Sequence, residues 1–209
     1  MLKLKAVEKK FGSRTIFNIP VLELQEGLYR IKGANGSGKS TLLRVLAGLI
    51  PFQGNVWLDD FSLRQHPDQY RMRVNHAPAE PAFPSFLTGT ELVEFVTAVK
   101  KGNTKDNDFV KEKLGIDQFP DQPTGSYSSG MLKKLSLLLA FAGHPQWILL
   151  DEPFTTLDTA SQEALASLIA ARHREGVSFM LTSHHEIELP NLPFTQQFLM
   201  QDQQLVPLS

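Results

Sequence analysis

Apolar and polar positions alternate at the start of the chain. Leu2-Lys3-Leu4-Lys5-Ala6-Val7 has the two-residue period of a strand with one face in solvent, and Val21-Leu22-Glu23-Leu24 repeats it before a turn at Glu26-Gly27. Leu28-Tyr29-Arg30-Ile31 predicts a strand that runs into a glycine-rich loop. The period then becomes helical over 39–47, with Gly48 near the end and Pro51 beyond it. Residues 54–58 return to strand. Over 77–89, Pro78, Pro81 and Pro84 break any regular pattern and predict an irregular connection. Residues 90–114 are helical with an interruption at Gly102-Asn103, and a third helix is expected over 129–142. Trp147-Ile148-Leu149-Leu150 is wholly apolar, as strands buried on both faces are. A helix over 159–174, a buried strand over 177–182 and short strands near 197–200 and 204–206 complete the series.

Strands that alternate with helices predict a mainly parallel sheet covered on both faces, with ligands at the carboxyl ends of its strands. The block 82–142 is almost purely helical and reads as a lobe inserted into that α/β core, itself made of 1–81 and 143–209. No internal repeat or low-complexity segment is visible. A chain of 209 residues, 42% hydrophobic and 21% charged, has the composition of one globular domain. The formal net charge of −1 gives no bulk attraction to nucleic acid or to an anionic membrane surface. With no cysteine, disulfides and thiolate metal sites are excluded, which fits a reducing compartment. Lys3, Lys5 and Glu8 interrupt the N-terminal segment, so no secretory leader is expected. The most apolar stretch, 135–142, is far short of the roughly 20 residues of a membrane helix. A role at a membrane therefore calls for a second chain.

Two segments carry chemistry. Gly33-Ala34-Asn35-Gly36-Ser37-Gly38-Lys39-Ser40-Thr41 has the spacing of a phosphate-cradling loop between a strand and a helix. Its glycines let backbone N–H groups converge on phosphate oxygens, and the helix that follows points its positive end at the anion. Lys39 supplies a point charge for the β and γ phosphates, and the Ser40 hydroxyl is a ligand for Mg²⁺. The second segment is Asp151-Glu152-Pro153, at the end of the apolar run. Asp151 suits Mg²⁺, through water, and Glu152 can polarise an attacking water. An Asp-Glu pair at a strand end is by itself an ordinary solvated turn. Next to a phosphate loop it is a magnesium and water site.

With the motifs below, these residues resemble the ATPase domain of ABC transporters, over nearly the whole chain. The resemblance implies a P-loop NTPase core with a mainly parallel sheet, an N-terminal antiparallel β subdomain and an inserted α-helical subdomain. It implies that Phe11 stacks on adenine, with a core phenylalanine as the less favoured reading. Tyr127-Ser128-Ser129-Gly130-Met131 looks like the family signature, which meets the γ-phosphate bound to a partner subunit; Ser128 would also cap a helix. Thr156-Leu157-Asp158 resembles the D-loop at the dimer interface, and Asp158 too would cap a helix. Thr182-Ser183-His184 resembles the switch loop, whose histidine contacts the γ-phosphate; His185 has no assigned role. The signature departs from Leu-Ser-Gly-Gly-Gln. Ser129 replaces its first glycine and Met131 its glutamine, and Gly130-Met131-Leu132-Lys133-Lys134 is similar to a variant common among bacterial export-type ATPases. In His76-Ala77-Pro78-Ala79-Glu80-Pro81, which resembles the Q-loop, Ala79 stands where glutamine is expected. Glu80 or a water can take that place. A second carboxylate near Glu152 would be repelled, which favours water.

The resemblance implies ATP and Mg²⁺ as ligands, and two ATPase domains, a homodimer or a paired subunit, closing head to tail on two nucleotides. A separate transmembrane permease subunit would receive the motion through a groove near 79–95, so the chain is expected to be cytoplasmic and peripheral on the inner face of the membrane. Nucleic acid is not expected as a partner. The competing reading is a soluble ABC ATPase in a nucleic-acid or ribosome-linked process. Such chains usually carry two ATPase units or a long inserted coiled coil, and neither is visible. An Asn-Lys-x-Asp guanine-reading motif is absent, and intact Lys39, Asp151, Glu152 and His184 argue against a module that binds ATP without cleaving it.

Overall fold

The computed structural model describes residues 1–119, 121–183 and 192–208, the side chains at 104 and 106 excepted. Two sheets carry the structure. Strands β1 (Leu2–Phe11), β2 (Arg14–Leu24), β4 (Gln53–Leu58) and β5 (Phe61–Ser62) form an antiparallel sheet in the order β2-β1-β4-β5. Strands β3 (Leu28–Lys32), β6 (Val74–Ala77), β7 (Trp147–Leu150), β8 (Ser178–Ser183), β9 (Gln196–Gln201) and β10 (Gln204–Leu208) form a second, ordered β10-β9-β3-β8-β7-β6. That sheet is parallel except for the β9–β10 hairpin. The helices are α1 (Lys39–Leu46), α2 (Pro67–Arg73), α3 (Gly89–Val99), α4 (Thr104–Leu114), α5 (Ser129–Phe141) and α6 (Thr159–Arg174).

The apolar runs explain the layering. Along β7, Trp147 and Leu149 join one hydrophobic cluster while Ile148 and Leu150 join another; Met180 and its neighbours Phe179 and Leu181 divide the same way on β8. A strand with a period of two and apolar residues on both faces must be covered twice. The first cluster is completed by α1 and the antiparallel sheet, the second by α3 to α6. The inserted helices begin as their caps dictate. Thr88 and Glu91 form a reciprocal capping box at α3, and Asn103 caps α4 after the break that Gly102 predicts.

Several elements differ from the sequence pattern, the two-residue strand β5 among them. β2 starts at Arg14, earlier than the run at Val21, and contains Pro20. It lies at the edge of its sheet, where a residue without N–H is tolerated. Helix α2 buries only Tyr70, whose hydroxyl donates to Leu46 O at 2.8 Å, so it has no apolar stripe to betray it. β6 lies in a stretch for which no element was expected and ends at Ala77, where the irregular segment begins. Its buried Asn75 is held by two bonds of its Nδ2, to Ala140 O and Ala142 O. No helix among the described residues is long and apolar enough to cross a membrane.

The antiparallel sheet depends on one irregularity. The pairing of β1 with β4 shifts between Lys5 and Glu8, Ala6 takes φ +50°, and Gly54 opposite takes φ +89°. A Cβ on Gly54 would overlap the backbone carbonyl of Ala6. Gly54→Ala combines that clash with an unfavourable φ and should destabilise the protein by about 3 kcal/mol or more, read as a drop in the urea midpoint. An unchanged midpoint would mean that the bulge is not a constraint on this sheet.

Candidate functional site

β3 ends at Lys32, and the glycine-rich loop turns directly into α1. Gly38 stands at the N-cap with φ +107°, and a side chain there would press on Ile16 Cγ2 at 3.0 Å. It provides no side-chain cap, so the first N–H groups of α1 are left for another acceptor. Lys39 is almost completely buried and donates to Gly33 O at 2.8 Å and Ala34 O at 3.0 Å, which folds the loop over its ammonium. Burial pushes the ammonium pKa down, and the nearby Glu152 and Asp151 carboxylates oppose that shift. On the same loop Ser37 Oγ is buried and finds no partner among the described residues.

The carboxylates stand at the end of β7, one strand removed. Asp151 is buried; its N–H donates to Ala77 O at 2.9 Å, and its Oδ1 accepts from Thr182 Oγ1 at 2.6 Å. Thr182 Oγ1 in turn accepts from the Glu152 N–H at 2.9 Å. Glu152 takes φ +46°, in the left-handed region that costs a glutamate about 1 kcal/mol or more. Thr182 is thus the hinge of the carboxylate pair. It is buried where an apolar strand ends, which is the signal that could have marked it. Lys133, on α5, reaches the same place: its ammonium donates to Asp151 O, Pro78 O and Ala79 O.

A cleft of about 940 Å³ gathers these parts. Asn35, Gly36, Gly38, Lys39, Ser40 and Thr41 line one wall, and Ala79, Glu80, Asp151 and Glu152 another. His76 also faces the cleft. Burial drives its imidazole down to about 4, so it is neutral at physiological pH, and its Nε2 has no partner among the described residues. The donor set fits the expected ligands. An uncapped helix start, an orphan hydroxyl and Lys39 suit phosphate oxygens, while the Ser40 hydroxyl and the Asp151 carboxylate are the hard oxygen donors that Mg²⁺ prefers.

Other residues lie elsewhere. Phe11 is 55% exposed beneath the Lys9 ammonium, 4.4 Å from its ring centre, and does not line the cleft; Arg14, its hairpin partner, and Ile16 do. Gly33 and Ser37 belong to the loop without lining the cleft. Ser128 caps α5 by accepting from Met131 N–H at 3.2 Å; Ser128 and Ser129 are exposed, and Gly130 and Met131 half-buried, outside the cleft. Asp158 caps α6, accepting from Ser161 N–H and Oγ–H, and these bonds hold its carboxyl below the usual range. Lys134 Nζ lies 3.7 Å from Asp158 Oδ2, joining the start of α5 to the start of α6. His184 and His185 fall outside the described residues.

The fold and these motifs have counterparts among known proteins. The sequence profile of the family described as "ABC transporter" matches residues 22–155. The cytochrome c biogenesis ATP-binding export protein CcmA of Haemophilus influenzae is 31% identical over 91% of this chain and 92% of its own. The lantibiotic transport ATP-binding protein SrtF of Streptococcus pyogenes is 26% identical over 92% of this chain and 83% of its own. A solved ATP-binding subunit of an ABC transporter superposes with a TM-score of 0.88 over 98% of this chain and 88% of that one; at 18% identity it speaks for the fold alone. Profile, relatives and cleft agree, and the chain belongs to the ABC transporter family as an ATP-binding ATPase domain.

Proposed function

We propose that this chain hydrolyses ATP as one of a pair of subunits that close head to tail on two nucleotides and drive a membrane exporter. One observation carries the reading. Lys39, Ser40, Asp151 and Glu152 share one cleft, whereas Ser128 to Met131, at an uncovered helix start, stand outside it. A helix N-terminus with exposed serines is suited to an anion, and a second copy can bring one. In this reading the loop from Gly33 to Thr41 holds the phosphates, with Asn35 and Gly36 at its open rim and Phe11 free to stack on the base. Ser40 and Asp151 hold Mg²⁺, which when bound neutralises charge on the phosphate oxygens. Glu152 orients water for in-line attack, with no covalent intermediate. His184 contacts the γ-phosphate and Asp158 crosses the interface.

The helical block 82–142 then moves as a lobe against the core formed by 1–81 and 143–209. Phe86 and Phe95, 76% and 66% exposed, offer an apolar surface near 79–95 for a separate permease. The export direction draws support from the Gly-Met-Leu-Lys-Lys variant and from the likeness to CcmA, named as an export protein. The chain would work at the cytoplasmic face of that permease.

Glu152→Gln should keep ATP binding, lower turnover by about 100-fold or more, and shift the sedimentation profile to a dimer in ATP. Normal steady-state turnover in this variant sinks the assignment of Glu152, and a monomer under those conditions sinks the head-to-tail pair. Lys39→Ala should remain folded and lose ATP affinity; undiminished Mg-ATP binding would show the loop misread.

Glu80 lines the cleft and is exposed, while Ala79 cannot ligate a metal. With Glu152 already there, water is the better occupant of the place beside Ala79. Glu80→Ala should change basal turnover by less than about two-fold, and Ala79→Gln should fold normally. A Glu80→Ala loss as deep as that of Glu152→Gln would make Glu80 the working residue instead.

A further inference from the structure

We propose that Lys133 is a positioning residue for hydrolysis, a clamp that locks the end of β7 and the loop at Pro78–Ala79 to the helix whose start bears Ser128 to Met131. The proposal rests on the ATPase reading given above. Lys133 is 1% exposed. Its three N–H donors are matched by three backbone carbonyls: Asp151 O at 2.9 Å, Pro78 O at 3.1 Å and Ala79 O at 3.1 Å. An ammonium with all its donors engaged fixes the relative place of the groups it joins.

Each of those groups belongs to the cleft. Asp151 is held from its other end by Thr182, and Glu152 follows it in the chain. Pro78 and Ala79 line the same cleft beside them. Lys133 lies on the first turns of α5, five residues beyond the Ser128 cap, and the next residue, Lys134, faces Asp158. A contact made on Ser128–Met131 therefore has a short, rigid route to the backbone that carries Asp151 and Glu152.

Stability alone does not account for a lysine here. Taking an ammonium out of water is costly, and burial pulls its pKa down to about 8 against the pull of Asp151 and Glu152. Leu135, Leu137, Leu138 and Phe141 fill much of the buried side of α5, where a methionine would pack without the desolvation cost of an ammonium but would leave three carbonyls without their donor. The cation serves geometry.

The test compares wild type, Lys133→Met and Lys133→Cys in ATP turnover, ATP affinity and thermal midpoint. Lys133→Met should remain folded and keep the ATP Kd within two-fold, while kcat falls at least ten-fold. Because the chain has no other cysteine, Lys133→Cys can be alkylated with 2-bromoethylamine in denaturant and refolded, which rebuilds an ammonium at that one position. Recovery of at least half the lost kcat is expected. A Lys133→Met kcat within two-fold of wild type overturns the proposal. So does a kcat loss that tracks loss of ATP affinity or of folded protein, or aminoethylation that refolds the chain without restoring turnover. A wild-type chain that binds but does not cleave ATP refutes the ATPase reading itself, and the clamp with it.

Discussion

Strand β8 comes late in the chain yet takes the place between β3 and β7, so that Thr182 stands level with Ile31 on one side while Leu181 stands level with Leu150 on the other. The phosphate loop leaves β3 two residues past Ile31, and the carboxylates leave β7 one residue past Leu150. Parallel pairing in this register puts both exits at the same end of the sheet with a threonine hydroxyl between them. A slip of one residue would exchange the two faces of β8 and send Thr182 away from Asp151. The two clusters of apolar side chains enforce the register, because each accepts only its own half of β7 and β8.

Charges in the site are almost balanced before any ligand arrives. Lys39 and Lys133 bring two buried positive charges and Arg14 and Arg44 two more at the cleft, against the carboxylates of Asp151, Glu152 and Glu80. His76 stays neutral through burial. A polyphosphate added to this set would leave it strongly negative, and a divalent cation is the natural compensation. Lys39 has carbonyl partners on its own loop, which offset part of the cost of burying its charge.

What could be read from the sequence was what is local. The phosphate loop and the Asp-Glu pair are contiguous, and the central strands declare themselves as apolar runs. The caps at Ser128 and Asp158 were legible for the same reason, since each bonds three residues ahead. The edge position of β2 was hidden, because Pro20 argues against a strand until its neighbour on one side is known to be missing. β6 was hidden by Asn75 and His76, polar residues whose burial makes sense only beside α5 and the cleft. Thr182 and Lys133 act across 31 and 18 residues of chain, respectively, on Asp151, and neither distance leaves a spacing to recognise. The one trace of the clamp in the pattern is a lysine on the apolar stripe of α5, four residues before Leu137.

The left-handed backbone at Glu152 sets the needs of the fold against those of the site. At φ +46° a glycine or an asparagine would sit more comfortably than a glutamate, so such a residue would relieve about 1 kcal/mol of backbone strain at the expense of the carboxylate. Any screen of variants that rewards thermal tolerance alone will therefore drift toward replacing this residue. Stabilised versions of the protein should be sought in changes that leave the strained turn untouched, since here greater robustness and an idle active site lie in the same direction.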